Sequence, residues 1–193
     1  LLCGHVDANE HDWAPTGVTK SDYLDAVERV VRFLHRHQDA SGAIVDPVID
    51  REHQYSTPYY AHAVGALLHA GRADDLRESG VAAMEHATAC LAGGNDAIPD
   101  NHGEFFIAPL TEALALYRGH APDEKIDEWS RRLRTPIDAI IEDVGAKTNN
   151  WRTYAMKGEW LRATAGLVSR DDAVRFIDDA WLNRTQRERI VEA

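Results

Sequence analysis

The residues best suited to chemistry stand together at Asn101-His102-Gly103, followed by Glu104-Phe105-Phe106. An amide beside an imidazole can hold a carboxylate neutral and take a proton from the carbon next to it. The competing reading is structural. Asn is a favoured helix N-cap, and His102 would then be an ordinary surface histidine. Two further stretches mix amides and rings in the same way: Gln54-Tyr55, and Asn149-Asn150-Trp151-Arg152 with Tyr154 two residues on.

This set matches the needs of β-elimination beside a uronic acid. The carboxylate must be neutralised, a base must remove the adjacent proton, and an acid must protonate the departing glycosidic oxygen. Asn101 and Gln54, with Asn150, are candidates for the first task, and His102 for the second; Arg152 is a further candidate for binding substrate, with a charge that would assist the Tyr154 phenol. Tyr154 suits the third, because a phenol can give a proton and take one back. Tyr55, Phe105 and Trp151 offer rings to the apolar faces of sugars. His102 and Tyr154 must lie within about 15 Å if acid and base are to reach one sugar.

Helices must position these groups. Thr19 and Asp22 form a capping pattern ahead of Tyr23, Val27, Val30, Val31 and Leu34, which recur at helical spacing. Ser56-Thr57-Pro58 opens a second helix, with Pro in the first turn, and Gly71 stops it. A third covers about 74–91 and a fourth about 103–117, with Pro109 expected to kink it or delay its start. A fifth begins near Asp123, runs to Val144 and is divided by Pro136. A sixth begins near Trp151 and a seventh after Ser169. No segment reads as a strand.

Helices carrying the candidate residues begin near Tyr55, Gly103 and Trp151, at intervals of 48 residues. That period suits repeated helical hairpins. The expected architecture is all-α, an incomplete α/α toroid forming a single domain over 1–193. A helical solenoid would share the spacing. In a toroid the loops before the inner helices converge on one cleft.

A net charge of −11 argues against general nucleic-acid binding, yet a locally basic cleft could still take an acidic substrate. The 44% hydrophobic content supports a core. No apolar run is long enough to span a membrane. Cys3 and Cys90 are the only cysteines. The chain reads as part of a longer protein, with a helix over 185–190 running off its end, and no signal peptide is visible.

Asn101-His102-Gly103 resembles the Asn-Asn-His-Gly stretch of alginate lyases and heparinase II/III-like polysaccharide lyases, with Asp100 in place of the first Asn. The resemblance implies an α/α-toroid lyase. Asn101 would neutralise the uronate, His102 would act as base or its helper, and Tyr154 would be the catalytic tyrosine. It also implies an acidic polysaccharide or oligosaccharide substrate, a secreted or periplasmic location and no cofactor.

The alternatives are a glycoside hydrolase on the same toroid, of the unsaturated glucuronyl hydrolase type with Asp50, Asp100 or Glu104 as its carboxylates, and a non-catalytic carbohydrate-binding repeat. No metal site is expected. His5, Asp7, His11 and Asp12 read as incidental, and His35 and His37 as solvent-facing. The Asn183 sequon falls within a helical pattern.

Overall fold

The computed structural model describes residues 16–142 and 149–181. Eight α-helices dominate them: α1 (Lys20–His35), α2 (Ser56–His69), α3 (Arg77–Ala92), α4 (Gly103–Leu116), α5 (Asp123–Arg132), α6 (Ile137–Ile140), α7 (Asn149–Thr164) and α8 (Arg170–Trp181). The protein is thus mostly helical, as the sequence predicts. Cys3, the cluster within 5–12, Val144, the Asn183 sequon and the helix expected over 185–190 lie outside the described residues.

Local chemistry sets the helix starts. Thr19 and Asp22 form the expected capping box: Thr19 Oγ1 accepts from the Asp22 N–H at 3.2 Å, and Asp22 accepts the Thr19 N–H at 2.7 Å. Pro58 lies in the first turn of α2, where a missing N–H has no partner to lose. Pro136 separates α5 from α6. Pro109 departs from expectation, because α4 begins at Gly103 without delay and runs through it. The ring deprives the Phe105 carbonyl of its helical donor, a loss of about 3 kcal/mol in an isolated helix. Every residue from Gly103 to Thr111 is buried, and that packing outweighs the loss.

α4 packs against α2 on one side and α7 on the other. α3 lies against α2, α4 and α5, while α8 packs on α7 and α1 on α2. Two glycines allow the closest approaches. A methyl on Gly103 would sit 2.6 Å from Ile140 Cγ2, and one on Gly158 would sit 2.9 Å from Ile107 of α4. Across the outer contact, Glu85 of α3 meets Lys125 at 2.7 Å, Arg132 at 2.7 Å and the Trp129 indole N–H at 3.1 Å. Partial burial pushes the Glu85 carboxyl up, but these three donors together hold it down at about 2.

Two features differ from the sequence reading. Val45–Asp46 and Arg51–Glu52 form a short antiparallel ladder, β1 and β2, where no strand is expected. Two-residue strands are too short to show alternation. Asp46 makes the turn, its Oδ1 accepting from the Val48 N–H at 2.8 Å and the Ile49 N–H at 3.3 Å. On α1, the apolar stripe extends beyond the contact with α2. Val31 is buried, whereas Tyr23 and Val30 are 62% and 58% exposed.

Candidate functional site

The starts of α2, α4 and α7 bring five rings together. Phe105 is at the centre, stacked on Tyr55 at 4.7 Å between ring centroids and tilted against Tyr154 at 4.5 Å. Trp151 and His102 meet it edge-on at 5.7 and 5.8 Å. His102 also packs against Trp151 at 4.5 Å and lies 6.0 Å from Tyr55. Since His102 and Tyr154 both touch Phe105, they can be no further apart than those two spans laid end to end. Phe105 is 7% exposed, so it orients the other rings instead of presenting a face of its own. Tyr55, His102, Trp151 and Tyr154 are half-buried.

Asn101 does not cap α4. His102 is the residue that precedes the helix, and no side chain bonds across that cap. Asn101 is exposed, and both it and Asp100 are left-handed, with φ of 56° and 55°. Such conformations are uncommon outside glycine and cost of the order of 1 kcal/mol each. Contacts to the preceding loop hold the turn in place. Asp100 Oδ2 accepts the Gln54 N–H at 2.8 Å and lies 2.8 Å from His53 Nδ1, while Oδ1 lies 3.0 Å from Arg51 Nη2. The Gln54 N–H and then the Arg51 guanidinium hold the Asp100 carboxyl down at about 2. Asp100 therefore ties the loop before α2 to the turn before α4, with its charge offset by Arg51.

The remaining predicted residues are distributed unevenly. Gln54 is half-buried with φ of 51°, and Asn150 is exposed on the first turn of α7. Arg152 is buried at 7% exposure and offers little surface to a substrate. Glu104 is wholly buried in the first turn of α4, where the helix dipole favours negative charge.

One member of the site went unnoticed in the sequence. Tyr59 is one turn beyond Tyr55 on α2, 5.5 Å from its ring, and its phenol neighbours that of Tyr154. Burial first, and then the neighbouring Tyr154, push the Tyr59 phenol up to about 12. The four-residue spacing from Tyr55 to Tyr59 was the available signal. Beside these two tyrosines a cavity of about 730 Å³ lies between α1 and α2, lined by Val27, Val30, Phe33 and Leu34 and also by Gln54.

No protein-family model, curated protein or solved structure matches the chain.

Proposed function

We propose that the chain is the α/α-toroidal part of a polysaccharide lyase that cleaves a uronate-containing polysaccharide by β-elimination. The observation that carries this reading is the meeting of His102 and Tyr154, 52 residues apart in sequence, in one cluster of rings. The row α2–α4–α7, with α3 packed outside it, suits the inner and outer rings of a toroid.

In this scheme Asn101 and Gln54 hold the uronate carboxylate. His102 takes the proton from the carbon beside the carboxylate. Tyr154 delivers a proton to the departing glycosidic oxygen. Tyr59 remains protonated and donates to the Tyr154 oxygen, which stabilises the phenolate left behind. Tyr55 and Trp151 stack against the sugars. The family resemblance adds secretion or periplasmic export.

The hydrolase alternative draws less support. Asp100 is engaged by Arg51 and His53, and Glu104 is buried. The test is a panel of uronate polysaccharides followed by ultraviolet absorbance of the unsaturated product. His102→Ala and Tyr154→Phe, each with an unchanged circular dichroism spectrum, are expected to lose about 100-fold or more in rate. Full activity in both variants would remove the proposal.

A further inference from the structure

Away from the ring cluster, Glu52, His86 and Cys90 bring three different metal-ligating atoms together. Glu52 ends β2, while His86 and Cys90 lie four residues apart on α3 and share one face. Their ligand atoms all lie within 4.8 Å of one another. His86 Nε2 is 2.8 Å from Glu52 Oε2 and 3.5 Å from Cys90 Sγ. In a catalytic triad the imidazole uses its two nitrogens for different partners. Here a single nitrogen faces both the carboxylate and the sulfur, so the three atoms converge on one point.

We propose that Glu52, His86 and Cys90 bind one zinc-class divalent cation. Tetrahedral zinc with ordinary bond lengths separates its N and O ligands by about 3.3 Å and its N and S ligands by about 3.6 Å. The His86–Cys90 distance already fits, and Glu52, within 4.8 Å of Cys90, must retreat from His86 by about half an ångström and settle about 3.6 Å from the sulfur. A mixed N, O and S donor set selects zinc or a similar transition ion over magnesium and calcium, which take oxygen ligands.

The surrounding bonds are those that orient metal ligands. The other ring nitrogen, His86 Nδ1, lies 3.3 Å from Ser41 Oγ, and that hydroxyl donates to Asp39 Oδ1 at 2.6 Å. Thr57, wholly buried, donates its hydroxyl to the second Glu52 oxygen. Three protein ligands leave a fourth position for water. On binding, both the Cys90 thiol and the His86 Nε2–H that now faces Glu52 release their protons to solvent, and thiolate and carboxylate balance the charge of the ion. The ion would strap α3 to the loop that leads into Tyr55. This proposal stands or falls independently of the lyase reading.

The test uses cobalt(II) as a spectroscopic probe on the reduced, tag-free chain. Expected are a thiolate-to-cobalt charge-transfer band and tetrahedral visible bands that saturate at one equivalent and vanish on adding zinc. Cys90→Ser should abolish the charge-transfer band, and Cys3→Ser should leave it intact. His86→Asn and Glu52→Gln should each weaken cobalt binding at least tenfold. If Cys90→Ser does not fold, Glu52→Gln decides by the same tenfold criterion. Absence of the band, its survival in Cys90→Ser, its loss in Cys3→Ser, or unchanged affinity in Glu52→Gln would each overturn the site and leave a plain His86–Glu52 ion pair.

Discussion

Replacing Gly103 by alanine tests why the Asn101-His102-Gly103 stretch ends in glycine. A methyl group there would sit 2.6 Å from Ile140 Cγ2 and nearer still to the Ile140 carbonyl oxygen. Two effects oppose each other. Alanine is the better helix former by up to about 1 kcal/mol, and by less in a first turn. Forcing an extra carbon into a packed contact costs about 1–3 kcal/mol, and more where one neighbour is backbone. The overlap should win, leaving Gly103→Ala less stable by about 1–2 kcal/mol. In a domain of this size that lowers the melting temperature by roughly 3–6 °C. Urea denaturation with an unchanged slope would measure the loss. Because α4 carries Phe105, and His102 directly precedes it, the near-ultraviolet circular dichroism of the ring cluster should change as well. A variant as stable as the parent would refute the argument, because propensity alone predicts a gain.

Two further outcomes follow from the same contacts. Glu85 is held at about 2 when folded, below the ordinary glutamate value of 4.5, so its contribution is complete above about pH 4.5 and fades as the pH falls towards 2. After allowance for its partial exposure, Glu85→Gln should cost about 1–2 kcal/mol at neutral pH, and the gap from the parent should close in acid; a gap independent of pH in urea titrations would contradict this. Tyr59→Phe should lower kcat about tenfold with KM little changed, since it removes the phenol proposed to donate to Tyr154 and leaves the stacking rings in place; a change confined to KM in steady-state assays would assign Tyr59 to binding instead.

Much of the helical framework was legible because its signals are local. Thr19 with Asp22, Pro58 and Pro136 act on their own turns, and the helices begin and break where those residues require. The ring cluster was legible for a related reason. Tyr55 and His102 directly precede α2 and α4 and Trp151 lies in the first turn of α7, so all three belong to helix starts that a local reading can find. What was hidden depends on contacts across the chain. Asp100 reads as a loose acid next to the site until the structure places Arg51, His53 and the Gln54 N–H around it. Arg152 reads as a substrate-binding cation, yet the helical phase of α7 turns it inward. Cys90 and His86 read as helix residues, and only the hairpin that returns Glu52 to α3 gives them a third ligand. That hairpin is itself set by Asp46 turn bonds, in strands too short to leave a pattern.

In the proposed mechanism, bond cleavage proceeds by elimination at the site lined by His102 and Tyr154. The most direct measurement is mass spectrometry of products from a defined uronate oligosaccharide incubated in isotopically heavy water. Elimination predicts fragments whose masses sum to that of the substrate, one carrying a new double bond and neither containing solvent oxygen. Fragments that together gain one water, with heavy oxygen incorporated, would contradict the account and identify a hydrolase.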